Sequence, residues 1–74
     1  MLDAEQIANK CFKISFNLNF SLLKLLKNFG LHEANFYRIR DGECSVREVT
    51  KQKLTKMLNF LEQSQEIHEQ ALGV

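Results

Sequence analysis

The cysteines and histidines of the 74-residue sequence are the first candidates for catalysis or metal binding: Cys11, Cys44, His32 and His68. The cysteines lack the close spacing of a zinc site, and neither histidine lies near them in the sequence. The sequence also contains no glycine-rich phosphate loop, no paired His/Glu motif and no nucleophile motif. A Cys11–His32 dyad has no support from any further motif. We therefore predict no enzyme, no metal site, no cofactor and no small-molecule substrate.

The two cysteines are expected to be free thiols, with Cys11 in the core and Cys44 in a loop. A secreted chain this small would normally carry more cysteines, arranged as a disulfide scaffold. The first residues lack the basic start and apolar stretch of a signal peptide, and no apolar run approaches the ~20 residues that span a bilayer. These features predict a cytoplasmic protein without a membrane segment.

The basic residues are concentrated in the middle of the sequence. All ten Lys and Arg residues lie between Lys10 and Lys56, a stretch with only four acidic residues and a net charge of +6. Acidic ends reduce the total to +1, which excludes a uniformly basic nucleic-acid binder. Local basic density is what the neutralisation of phosphates requires, although solvated helix faces give the same pattern.

The elements that must position these residues are helices. Proline is absent, only three glycines occur, and strand-like alternation is weak, so we predict a single all-α domain over residues 1–74. The first helix is expected to begin after Asp3 and to run to about residue 13, and residues 14–19 either extend it or form a connection. A second helix is expected from about Ser21 to Gly30 and a third over residues 32–40, ended by Gly42.

A further helix is predicted through residues 51–62. Its start is either Ser45, which has capping-box spacing to Glu48, or Thr50. Residues 63–74 then form a continuing or a fifth helix, which covers the core or pairs with another helix. The predicted pairing seam consists of Leu58, Leu61, Gln65, His68 and Leu72. The predicted fold is thus a compact bundle of four to five short helices.

The six phenylalanines are expected to fill the core of this bundle, because a chain of this length has few other large side chains. Tyr37 is expected to be partly exposed. The phenylalanines are Phe12, Phe16, Phe20, Phe29, Phe36 and Phe60.

A leucine-rich helix, a glycine turn and a second helix with outward arginines are typical of a helix-turn-helix. Residues 30–42 resemble the turn and recognition helix of the lambda-repressor/Cro-like proteins, whose pattern is Gly-Val-Ser-x-x-Thr-Ile-Ser-Arg-Ile-x-x-Gly. The resemblance extends over roughly residues 20–62. Gly30, Arg38, Ile39 and Gly42 match the pattern outright, and Leu31, Asn35 and Phe36 match in kind.

The resemblance implies a small transcriptional regulator, expected to act as a repressor, that binds double-stranded DNA with a recognition helix over about residues 32–40. It places Glu33, Ala34, Asn35 and Arg38 towards the bases, with Arg38 suited to a bidentate contact with guanine. The phosphate contacts expected from the resemblance and the charges are Lys27, His32, Tyr37, Arg40, Arg47 and Lys51. His32 is alternatively expected to cap the third helix.

Several departures from the family pattern favour a second hypothesis. Leu22 and Leu26 replace a polar and a small residue, and the acidic side chains of Glu33, Asp41 and Glu43 fall where the family meets DNA. The alternative is a protein-interaction module that keeps the fold and modulates a larger regulator. If the protein binds DNA, we expect it to be a homodimer formed through the C-terminal segment.

The composition favours a phage, plasmid or low-GC bacterial origin.

Overall fold

The computed structural model describes residues 3–71, and in this range the chain forms four α-helices and no strand. The all-α prediction is therefore confirmed for the described residues. The helices are α1 (Ala4–Asn17), α2 (Leu22–Asn28), α3 (Glu33–Arg40) and α4 (Glu48–Ala71). None of these helices combines the length and the apolar character that crossing a membrane needs.

The first three helices end in the same way, with a residue in the left-handed conformation. These residues are Asn19, Gly30 and Gly42, with φ of 59°, 72° and 74°. At the end of α2 the N–H of Leu31 donates to the carbonyl of Leu26 at 2.8 Å, and the N–H of Gly30 donates to Lys27 at 3.2 Å. This pairing is a Schellman motif, and it satisfies carbonyls that the helix itself leaves free.

Two of the predicted helix starts are confirmed by side-chain hydrogen bonds. Asp3 accepts from the N–H of Gln6 at 2.9 Å, and Gln6 accepts from the N–H of Asp3 at 3.2 Å, which forms a capping box. Ser21 accepts from the N–H of Lys24 at 3.5 Å. His32 occupies the N-cap position of α3 but makes no side-chain capping bond, so the predicted capping role of its side chain is wrong.

The core lies where all four helices meet. Along α1, α3 and α4 its buried side chains recur at intervals of three or four, as helical packing requires, whereas the two of α2 are adjacent. They are Ile7, Ala8 and Cys11 of α1, Leu25 and Leu26 of α2, Phe36 and Ile39 of α3, and Leu54, Met57, Leu58 and Leu61 of α4. Leu26 is fully buried, so the larger residue at this position fills space between the helices.

Polar contacts fix α1 against the end of α3. The side-chain amide of Asn9 donates to the carbonyl of Arg40 at 3.1 Å and to that of Glu5 at 2.9 Å. A Cβ atom on Gly42 would lie only 3.1 Å from the Glu5 carboxylate. Gly42 is therefore favoured by its positive φ, whereas the exposed end of the Glu5 side chain can move aside.

The structure corrects two predicted boundaries. The first helix continues through the ambiguous segment to Asn17, because the break comes only where Asn19 adopts a positive φ. The fourth helix begins at Glu48, so neither Ser45 nor Thr50 starts it, and it continues without interruption for 24 residues. Of the two alternatives for the segment after residue 62, the continuing helix is therefore confirmed as far as Ala71.

The predicted pairing seam on this helix is also wrong in part. Leu58 and Leu61 are buried in the domain's own core, where no second helix can reach them. Gln65 is half-buried and His68 is exposed. Leu72 lies outside the described residues.

Only one of the six phenylalanines, Phe36, is fully buried. Phe12 and Phe29 are partly buried against the core. The core prediction is wrong for the other three, because Phe16, Phe20 and Phe60 are 79%, 40% and 42% exposed. Their exposure leaves three large apolar side chains on the surface of this small domain.

The buried thiol of Cys11 gives the fold a pH dependence that can be tested. Burial, with the nearby negative charge of Glu62, raises the pKa of Cys11 from 9.0 to about 12. The unfolded chain therefore loses this proton at lower pH than the folded chain, so the free energy of unfolding should fall between pH 9 and pH 12. Urea titrations over this pH range should show a shallower decline for Cys11→Ala than for the wild type. An equal decline of the free energy of unfolding with pH in the two proteins would contradict the raised pKa of Cys11.

Candidate nucleic-acid interface

The side of α3 that faces away from the core is exposed along its length. Phe36 and Ile39 anchor the helix in the core, and this orientation turns the four predicted base-reading residues to the solvent. We call these four residues the outer α3 face: Glu33, Ala34, Asn35 and Arg38. Their common exposure follows from the 3.6-residue repeat, and it makes them available to a ligand.

A surface groove begins at the outer α3 face and runs to the start of α4. Asn35 and Arg38 line one side of it, and Ser45, Arg47 and Thr50 line the other. We call this groove the arginine groove, after its two arginines. The loop between α3 and α4 brings Arg47 to this place, so two residues predicted for different DNA contacts share one surface. Ser45 and Thr50 add hydroxyl groups that the prediction did not include.

The two arginines of α3 have different environments although only one residue separates them. The guanidinium of Arg40 lies 4.8 Å from the ring centroids of both Phe12 and Tyr37, and its Nε atom lies 3.1 Å from the Asp41 carboxylate. Arg38 is exposed, and among the described residues no carboxylate pairs with it. Arg38 is therefore the α3 cation that is open to an external anion.

The other predicted phosphate contacts are distributed over separate surfaces. Lys27 and His32 are exposed at the two ends of the turn between α2 and α3. Tyr37 is half-buried, and its ring packs edge-on against Phe36 with centroids 5.9 Å apart. Lys51 is half-buried and lines a cleft with Asp3 and Glu5 of the α1 start. The structure thus brings Arg47 to the outer α3 face but places Lys51 beside carboxylates.

The acidic residues near this surface differ in how far their charge is balanced. Asp41 pairs with Arg40, so its charge is locally compensated. Glu43 is exposed in the loop after α3. Glu33 is exposed in the first turn of α3, where a carboxylate stabilises the helix through its dipole. Glu33 therefore has a structural role that does not require a ligand.

A second exposed surface was missed because its residues were expected in the core. The rings of Phe20, Phe29 and Phe60 form one group, with centroids 6.4 Å apart for Phe20–Phe60 and 6.0 Å apart for Phe29–Phe60. We call these three residues the aromatic cluster. A shallow groove beside it is lined by Phe20, Phe60 and Lys24. The sequence contained a signal of this exposure, because Phe60 does not belong to the regular 54–57–58–61 repeat of buried residues.

Cys11 and Cys44 are both free thiols, the first buried and the second exposed in the loop after α3, as predicted. In the described part of the chain, no three His, Cys, Asp or Glu side chains are grouped as a metal site would require. Comparisons of the chain with protein-family models, curated proteins and solved structures found no match.

Proposed function

We propose that this protein binds double-stranded DNA with sequence preference and acts as a small transcriptional regulator, in the manner of a repressor. In this proposal α2 and α3 form a helix-turn-helix, and the outer α3 face enters the major groove. The protein would then act where DNA is accessible, in the cytoplasm. The observation that carries the proposal is the exposed guanidinium of Arg38, unpaired among the described residues, on a short helix that Phe36 and Ile39 anchor in the core.

The arrangement around Arg38 supports this proposal. A guanidinium can donate two parallel hydrogen bonds to guanine O6 and N7, provided that its helix presents it outward. Asn35, one turn before Arg38, can make the corresponding pair of bonds to adenine. Arg47 lies across the arginine groove, where it can meet a phosphate while α3 meets the bases.

A protein-interaction module is the second candidate, and a specific observation favours it. The aromatic cluster is an exposed apolar surface away from the outer α3 face, and such surfaces on small soluble domains commonly bind other proteins. The exposed carboxylates of Glu33 and Glu43, which form no ion pair within residues 3–71, add repulsion towards a phosphate backbone. This candidate predicts no DNA binding at low salt.

Selection from a pool of random duplexes at two salt concentrations separates the two candidates. DNA binding by the proposed surface predicts enrichment of a common sequence and weaker binding at the higher salt concentration. Binding without enrichment would remove the regulator proposal and leave only phosphate attraction. The absence of binding at the lower salt concentration would favour the interaction module.

Arg47→Ala provides a prediction for the phosphate contacts. Loss of one contact should weaken binding to all duplexes alike and reduce the slope of log K against log salt by about one. Lys13→Ala is the matched control, because it removes one exposed positive charge from α1. Fluorescence anisotropy across a salt series measures both slopes, and equal slopes for the two variants would place Arg47 outside the interface.

A further inference from the structure

The first turn of α3 has no buried side chain of its own. Glu33, Ala34 and Asn35 are exposed, and the two core anchors of the helix, Phe36 and Ile39, come after them. These anchors lie only about 4.5 Å apart along the axis at 1.5 Å per residue, so they constrain the tilt of the helix weakly. Contacts outside the helix must therefore set the direction in which its first turn points.

The two ends of α3 are held by polar side chains of α1 and α4. At the C-terminal end, the side-chain amide of Asn9 donates to the carbonyl of Arg40 at 3.1 Å. Before the N-terminal end, the ammonium of Lys53 donates to the carbonyl of Gly30 at 3.3 Å. Within residues 3–71 no other side-chain hydrogen bond joins α4 to the turn between α2 and α3. Lys53 is therefore the polar link between α4 and the turn from which α3 starts.

The end of the Lys53 side chain lies against the glycine of this turn. A Cβ atom on Gly30 would lie 3.4 Å from the Nζ atom of Lys53 and 3.8 Å from its Cε atom. Only Leu31 and His32 separate Gly30 from α3, so a displacement of the glycine reaches the start of the helix through two residues. Leu31 also packs partly against the core, but an apolar contact is non-directional, whereas a hydrogen bond fixes an angle.

We propose that Lys53 is a positioning residue for the first turn of α3. It acts through Gly30 and sets the angle at which Asn35 meets a base, so this role rests on the proposed DNA-binding function. Hydrogen bonds to a base edge weaken steeply when they are misaligned, so a small tilt of the first turn weakens the contact of Asn35. Arg38 lies between the two core anchors in the sequence and should be affected much less.

Residual dipolar couplings of the backbone N–H groups test this positioning without DNA. Lys53→Met keeps most of the apolar side chain but removes the ammonium. The N–H vectors of residues 33–35 should then change direction relative to α1, whereas those of residues 37–39 should not. Lys56→Met is the matched control, because it removes one exposed positive charge from the same helix. Unchanged vectors in Lys53→Met, or equal changes in the two variants, overturn the proposal whether or not the protein binds DNA.

Competition binding tests the consequence for sequence recognition. Asn35→Ala and Arg38→Ala first identify the base pair that each side chain reads, as the position at which each substitution removes the preference. Lys53→Met should then lower the preference at the Asn35 position about fivefold or more and leave the preference at the Arg38 position nearly unchanged, and Lys56→Met should alter neither.

Two other roles of Lys53 predict different results in this assay. A merely destabilised fold would weaken binding to all duplexes alike, with both preferences intact. A phosphate contact of Lys53 would reduce the salt dependence of binding and would also leave both preferences intact. Either result overturns the proposal. If the wild type shows no base preference, the proposed function fails, and the dipolar couplings alone decide the role of Lys53.

Discussion

Phe36→Ala is expected to lower the free energy of unfolding by about 3–5 kcal/mol, the usual cost of removing a buried aromatic ring. Phe36 is 1% exposed, the largest of the fully buried side chains, and it packs against Tyr37. A domain of this size has a total stability of roughly 4–11 kcal/mol. The variant should therefore retain only a small margin of stability. Urea denaturation followed by circular dichroism should show a much lower midpoint with an unchanged slope.

Phe16→Ala is the matched control for this substitution. It removes the same ring from a side chain that is 79% exposed, and its effect should stay within about 0.5 kcal/mol. If the two substitutions lowered the free energy of unfolding by similar amounts, Phe36 would not anchor α3 in the core. The comparison matters for function, because the orientation of the outer α3 face depends on the anchoring of Phe36 and Ile39.

The helix ends were largely predictable because they depend on local chemistry. Asp3 and Ser21 cap helices through bonds to residues three positions later, and Gly30 and Gly42 tolerate the positive φ that ends them. The end of α1 was left open because asparagine adopts that conformation less readily than glycine. Asn19 does so here, in the same Schellman geometry.

The burial of the large apolar residues was less predictable, because it depends on which helices meet. Ile39 and Phe36 repeat at helical spacing and are buried, whereas Phe20 and Phe60 lie where α2 begins and where the core on α4 ends. Hydrophobicity alone cannot distinguish these positions. The length of α4 was also uncertain, since the polar run 63–66 interrupts the apolar repeat without interrupting the helix.

The candidate site shows the same division between local and tertiary causes. Exposure of Asn35 and Arg38 follows from the periodicity of α3, so the outer face was predictable. The difference between Arg38 and Arg40 was not, because Phe12, which contacts Arg40, comes from α1. Arg47 reaches the arginine groove through the path of a loop, and the sequence specifies such a path only weakly.

Arg38→Ala is expected to remove the preference for one base pair while leaving most of the non-specific affinity. A bidentate contact with guanine is worth about 1–3 kcal/mol of discrimination. The preferred duplex should therefore bind roughly 5- to 150-fold less tightly, and a duplex with that base pair changed should bind almost as before. The fold should be unaffected because Arg38 is exposed. Competition binding with the two duplexes measures the difference.

Arg38→Lys separates base recognition from charge. Lysine keeps the positive charge but cannot reproduce the planar, two-pronged donor geometry of a guanidinium. If Arg38 reads a base, the lysine variant should retain the salt dependence of the wild type and lose much of its discrimination. If Arg38 contacts a phosphate, the lysine variant should bind all duplexes nearly as the wild type does. The Arg38→Ala variant should then bind all duplexes more weakly, by a similar factor. The latter result would move sequence recognition away from Arg38.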